Sequence, residues 1–387
     1  MHLKTITVLT GLICCIACRK SDKSPEVNSS VDDCVVTKSL SDGTPIDGQY
    51  IIAYKSSDNT VSAGNRIGTF TNTLLQRNKI SNSALQHTFS GVQSGFIARL
   101  LPAELERLKH DSAISAIEQD RVIAFGSCFK VAEPKLITWN VTRVGYGDGT
   151  GKTAWVIDTG IDFTHPDLNV DSVRSRSFIS TEATAADENG HGTHVAGIIG
   201  AKNNSFGVLG VASGATLIAL KVFNKSGEGT VSSIIQALAY VNANANAGDV
   251  VNMSLGEDQT SSILDAQVQG TAARGIFIAI AAGNDNKPAS QFSPGRVNGT
   301  NIYTVSAVDS LDNFASFSNY GNDVVDFAAP GVQILSTYLN GQYATFTGTS
   351  MAAPHVAGLL LLKGKNLTSS GNSKNAPDGV PYPIAHK

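Results

Sequence analysis

Beyond Phe129 the chain has no cysteine; its five cysteines are Cys14, Cys15, Cys18, Cys34 and Cys128. A disulfide scaffold and a thiolate metal centre are therefore excluded from the larger part of the protein. A His-Glu-x-x-His segment is also missing. His191 and His194 lie three apart with no glutamate between them, which does not make the metal-binding helix face of a zinc peptidase. No apolar run is long enough for a transmembrane helix. Neither sign of charge dominates: charged residues make up 16 % and the net charge is −3, which gives no electrostatic reason to expect a nucleic-acid partner.

What is present is glycine (37 residues) and a hydrophobic fraction of 42 % in 387 residues. Two folded domains after a leader are the expectation at this length. The leader carries Lys4 and an apolar stretch from Ile6 to Ala17, which suits a signal-peptide core and is too short for a membrane span. Residues 1–18 are read as that signal. Two readings stand at its end: lipidation at Cys18, after Ile16-Ala17, or ordinary signal cleavage. Residues 19–47 begin with a Ser/Asp/Lys-rich run and read as a flexible tether. Export would leave Cys34 and Cys128 as either a disulfide or two free thiols, because sequence does not set connectivity.

Four segments combine chemistry-bearing residues with small neighbours. Asp158 ends the apolar run Thr153-Ala154-Trp155-Val156-Ile157, a strand buried on both faces in a parallel sheet, whose carboxyl end is where such sheets place their sites. His191 stands in Gly190-His191-Gly192-Thr193-His194, where the glycines let another backbone approach at the start of a helix. Asn284 closes Ile276-Phe277-Ile278-Ala279-Ile280-Ala281-Ala282-Gly283 and offers an amide donor for a developing oxyanion. Ser350 lies in Gly348-Thr349-Ser350-Met351-Ala352-Ala353-Pro354-His355, directly ahead of a buried helix read from Val356 to Leu362. A helix N-terminus favours negative charge and suits such a nucleophile. Taken singly, each of these residues is more often a turn residue; together and in this order they point to nucleophilic catalysis. Ala352 stands where the Gly-x-Ser-x-Gly turn of α/β-hydrolases needs glycine, and Asp158 and His191 precede the serine.

These segments, with Ser254-Leu255-Gly256, resemble the subtilisin-like serine proteases of the proteinase K-like branch, whose triad runs Asp, His, Ser. The resemblance extends through nearly all of residues 135–362. It implies an α/β, doubly wound, mostly parallel catalytic domain over 135–387. It further implies Ser350 as nucleophile, His191 as general base, Asp158 as its orienting carboxylate and Asn284 in the oxyanion hole, with peptide hydrolysis through an acyl-enzyme and no catalytic cofactor. A folded but inactive relative serving as a scaffold is the competing class, and no triad residue is missing to favour it. The resemblance places an extended polypeptide substrate between Ser226-Gly227-Glu228 and Ser254-Leu255-Gly256. Glu257, where the family commonly has glycine, is expected to point to solvent. Asp326, with carbonyls of Thr300 and Ile302, matches the family's structural calcium site.

Residues 48–125 read as a separate β-α-β-α-β unit: strands at 49–54, 95–100 and 116–123, helices at 65–79 and 102–109, the latter opened by Pro102. The unit resembles the ferredoxin-like α+β propeptide of subtilisins, which implies a folding aid and intramolecular inhibitor, joined by a linker at 126–134. The implied product is an exported serine endopeptidase precursor, secreted or held at a bacterial membrane by lipid alone.

Overall fold

The computed structural model describes residues 41–55, 65–91, 93–124, 130–131, 136–257 and 259–387, with backbone only at 65–66 and 130–131. Cys18, Cys34 and Cys128, the signal, and most of the tether and linker lie outside the described residues.

The smaller unit has the order β1 (Pro45–Tyr54), α1 (Asn65–Arg77), β2 (Leu85–Phe89), β3 (Gly95–Arg99), α2 (Pro102–Lys109) and β4 (Ile114–Ala124). Its antiparallel sheet runs β4-β1-β3-β2, the split βαβ arrangement. The strand β2, Leu-Gln-His-Thr-Phe, is absent from the sequence reading. Only Phe89 in it is buried, so it offers no hydrophobic run to find. Alternation sorts the rest: Ile52, Tyr54, Phe96 and Ala98 pack under the two helices with Leu74, Leu75 and Leu108, while Ile51, Ala53 and Ile97 face the larger body. A one-residue shift of register would exchange these two faces.

The larger body is built on nine strands. In spatial order they are 368–372, 383–386, 325–330, 302–308, 277–281, 250–253, 153–158, 216–221 and 176–177. All pair in parallel except the first two, which form a hairpin. The strand Thr153–Asp158 shows why a continuous apolar run is needed. Ala154 and Val156 enter the core under helices His191–Gly200 and Thr349–Lys363. Trp155 and Ile157 enter the core under helices Val231–Asn244 and Ser262–Ala272. Helices thus cover both faces, as a parallel sheet requires.

Chain order reverses at Thr153–Asp158. Strand 216–221 joins one side of it and 250–253 the other. A crevice opens at such a switch point, outside the carboxyl ends of the strands. Asp158 stands there. Ser254, just after 250–253, and Asn284, shortly after 277–281, reach the same level from neighbouring strands.

Candidate active site

Asp158 is fully buried and His191 is 1 % exposed. His191 Nδ1 lies 2.8 Å from Asp158 Oδ1, which also accepts the Thr159 N–H at 2.7 Å. The glycines expected to permit close approach do so. A Cβ on Gly192 would sit 2.1 Å from the Gly160 carbonyl oxygen, and one on Gly190 2.0 Å from the Tyr338 ring. The His191 helix is therefore seated directly on the turn that follows Asp158. Thr159 Oγ1 accepts the Gly192 N–H at 2.9 Å and fastens the two segments together.

Ser350 occupies the first turn of helix Thr349–Lys363, which begins seven residues before the apolar run that signalled it. The apolar run starts only at Val356, so the first turns, Thr349 to His355, lie outside the sequence expectation, and Pro354 stands within them. Proline inside a helix lacks the N–H that would reach the carbonyl four residues back, here that of Ser350. That carbonyl instead accepts the Ser254 hydroxyl at 2.7 Å, and Asn252 Nδ2 donates to the same hydroxyl at 2.9 Å. Ser350 Oγ donates to the Ser254 carbonyl at 3.2 Å. Ser254, expected as a substrate contact, thus also supports the backbone of the serine turn.

Asn284 Oδ1 accepts both the N–H and the hydroxyl of Thr349, at 2.9 and 2.8 Å. With its oxygen held, the amide orientation is fixed, and Gly348 leaves room beside Nδ2. Thr349 is a positioning residue that sequence reasoning missed; its place next to Ser350 was the available signal.

Of the expected cleft residues, Ser226 and Gly227 form a turn, with Gly227 at φ 75°. Their neighbours Glu228–Thr230 make the strand. It pairs antiparallel with β4 in the register Glu228↔Ala124, Gly229↔Ile123 and Thr230↔Val122. Gly229 and Thr230 therefore join Glu228 in this pairing. Ile123 is 1 % exposed and packs in a cluster that includes Val231, Ile234, Leu255 and Ile263. Ser254 and Leu255 are buried on the same side of the sheet's end and Gly256 is half-buried. Beyond Ala124, the short strand Lys130–Val131 pairs antiparallel with Thr345 and Ala344, five and six residues before Ser350.

β4 makes two further attachments. Glu118 accepts the hydroxyls of Ser261 and Ser262 and the Ile263 N–H, and Asp120 accepts the Ser232 N–H. Two carboxylates on one face of a strand thus meet the first turns of two helices, where the helix dipole favours negative charge. Glu257 differs from its expectation. It is 1 % exposed, covered by the small unit rather than open to solvent.

Asp326 lies beside a register irregularity between strands 302–308 and 325–330. Its Oδ2 accepts the Thr304 N–H at 2.8 Å, and burial pushes its carboxyl up to about 6. Among the described residues no ion pair neutralises it, and no group of three or more His, Cys, Asp or Glu side chains could hold a metal. The Asp326 carboxylate is a hard oxygen ligand of the kind calcium accepts, and carbonyl oxygens such as those of Thr300 and Ile302 would be ligands of the same kind.

A buried Asp–His pair at a sheet switch point, with a serine at a facing helix start and an anchored amide beside it, defines a hydrolase of the serine-nucleophile class. The sequence pattern of the Subtilase family matches residues 149–373. The chain is 37 % identical over 354 residues to Alkaline serine exoprotease A of Vibrio alginolyticus, covering 88 % of this chain and 65 % of that protein, just under two thirds of its length. It is 42 % identical over 275 residues to an alkaline protease of Shouchella clausii, covering 69 % of this chain and 68 % of that one. A crystal structure of a cold-adapted subtilisin-like serine proteinase aligns with TM-score 0.59 and 35 % identity, over 65 % of this chain and 98 % of its own. The chain belongs to the subtilase family of serine endopeptidases. Among the described residues no helix is long and apolar enough to cross a membrane.

Proposed function

We propose that the protein is an exported serine endopeptidase made as a self-processing, autoinhibited precursor. The observation that carries the catalytic reading is the buried Asp158–His191 pair at 2.8 Å beside the Ser350 turn. Ser350 Oγ swings from the Ser254 carbonyl to the substrate carbonyl carbon and its proton passes to His191 Nε2. Asp158 stays ionised and holds the imidazole through Nδ1. The oxyanion of the tetrahedral intermediate takes hydrogen bonds from Asn284 Nδ2 and the Ser350 N–H. Collapse breaks the C–N bond, His191 returns the proton to the leaving amine, and water, deprotonated by His191, releases the acyl group.

The precursor reading draws on β4. An extended strand lying antiparallel on Glu228–Thr230 has the form of a bound peptide, with main-chain pairing for grip and a pocket for Ile123. Residues 48–125 then serve as intramolecular inhibitor, and cleavage falls in the linker 126–134. Polypeptides that pair in the same way are the substrates. Asp326 with the Thr300 and Ile302 carbonyls would hold a structural calcium ion, which supplies charge neutralisation there and takes no part in the reaction. Export leaves the protein free or lipid-anchored through Cys18.

Labelling with a fluorophosphonate tests the catalytic reading: modification at Ser350, with casein hydrolysis lost in Ser350→Ala, is the expected result. An unlabelled, inactive, folded protein would make it a scaffold instead. Intact mass with and without Ser350→Ala reports the linker cut and lipidation together.

A further inference from the structure

Glu257 directly follows the cleft segment, and its N–H donates to the Ser293 carbonyl at 2.9 Å. Its Oε1 is shielded from solvent and has no hydrogen-bond partner among the described residues. A cavity of about 150 Å³ lies beside it, closed by Ile51, Glu118 and Arg121 of the small unit and by Gln259 and Ser261 of the larger body. Four charged groups face this carboxyl: Glu118 and Arg121 from β4, Asp42 from the segment before β1, and Asp265 from helix Ser262–Ala272. Three are acidic. Glu118 is committed to Ser261, Ser262 and Ile263, and Arg121 Nη1 donates to the Gly43 carbonyl at 2.9 Å. Among the described residues no ion pair reaches Glu257.

A buried carboxylate with no ion pair and mostly acidic neighbours is strongly disfavoured and takes a proton instead, the Arg121 charge opposing this only in part. Burial, with the Glu118 charge as the next cause, pushes the Glu257 carboxyl up to about 8. Because half of this enclosure belongs to the small unit, Glu257 becomes an ordinary solvated glutamate when that unit leaves.

We propose that Glu257 is a pH-sensitive latch on the inhibitory unit, buried neutral while β4 is docked and ionised once it departs. The proposal rests on reading residues 48–125 as that inhibitor. Docking takes up one proton wherever the free carboxyl is ionised and the docked one is not. Affinity is therefore full below the ordinary glutamate value of 4.5. It falls by up to tenfold per pH unit as pH rises to about 8, then levels off. Mild acid keeps the precursor latent and neutral to alkaline medium loosens it.

The test compares full-length Ser350→Ala with Ser350→Ala/Glu257→Gln by hydrogen exchange, read as the protection factor of the Ile123 amide, which faces Gly229 across the docking edge, while Val122 and Ala124 donate to Thr44 and Asp42 within the small unit and report that unit's own folding. Protection in the parent should fall about tenfold or more between pH 5.5 and 7.5. The Gln variant should be flatter and better protected at pH 7.5. Asp120 and Asp265, also raised by burial, are common to both proteins and cancel. Glu257→Met, equally uncharged, guards against a packing fault in Gln, and amides of strand 250–253 report overall folding. Equal slopes in parent and both variants, or weaker protection at pH 7.5 in both, would overturn the latch. A wild-type activity lag on casein bears separately on the inhibitor reading: pH-dependent docking without latency removes that role and leaves the Glu257 linkage standing.

Discussion

The corner that holds Asp158 and the interface that holds Glu257 are both buried and both carry a carboxyl, yet they are built in opposite ways. Asp158 has a histidine and a backbone N–H on the same oxygen, supplied by segments fastened to each other through Thr159 and Gly192. Glu257 has a cavity and acidic neighbours. The first site takes no residue from the small unit; the second is partly built from it. Permanence of partners separates a charge kept for chemistry from one that reports on assembly.

The largest effect should come from breaking the first corner. Ser350→Ala or His191→Ala should lower kcat on a peptide substrate by about 10⁴-fold or more, and the double variant little further, because triad members act as a unit. Steady-state kinetics on purified proteins measure this. Multiplicative losses would mean that the two residues act independently.

Asn284→Ala comes next. One oxyanion donor is worth about 10²–10³ in kcat, a magnitude measured on the corresponding amide of subtilisin. Here Asn284 also anchors Thr349, so Thr349→Val should reproduce part of the loss while leaving Nδ2 in place. KM should change little in either case, since the interaction strengthens only in the transition state. A pure KM effect would assign Asn284 to substrate binding.

Much of this corner was legible because its requirements are local. Gly190 and Gly192 announce close approach by their own identity, although not that the neighbours are the Tyr338 ring and the Gly160 carbonyl, and Asp158 ends a run whose two-faced burial is visible in its composition. The true start of the Ser350 helix was hidden. Pro354 marks a boundary by its own chemistry, and the group that satisfies the Ser350 carbonyl is the Ser254 hydroxyl, from a distant segment. Glu257 was hidden for a similar reason. What covers it is β4, more than a hundred residues earlier in the chain, and an exposed glutamate is the ordinary expectation. Local chemistry can be read along the chain; a partner brought by tertiary contact cannot.

Within the interface the comparison sharpens to two glutamates. Glu118 offers its carboxylate to three donors at a helix start. Glu118→Ala should leave them without an acceptor and weaken docking by about 1–3 kcal/mol, or roughly 5- to 150-fold. Glu257→Gln should strengthen docking at neutral pH. Exchange protection of β4 reads both. Equal signs would mean that the interface responds to total charge and not to individual partners.

The smallest effect concerns Asp326, another raised carboxyl for which no ion pair is found among the described residues. Its carboxyl sits at about 6 when folded against an ordinary 3.8. A raised acid contributes stability fully below its unfolded value and loses it as pH climbs through the folded one. In chelator, therefore, the melting temperature should drop between pH 4 and pH 7 by a few degrees more than in Asp326→Asn, at ~2–4 °C per kcal/mol for a body of this size. Calcium should restore the wild-type value at pH 7 and leave the variant unmoved. The ion is then the cation that Glu257 lacks: Asp326 would be a buried carboxylate completed from solution. Identical melting of both proteins in chelator and in calcium would remove Asp326 from this class and assign the offset of its burial to the Thr304 N–H.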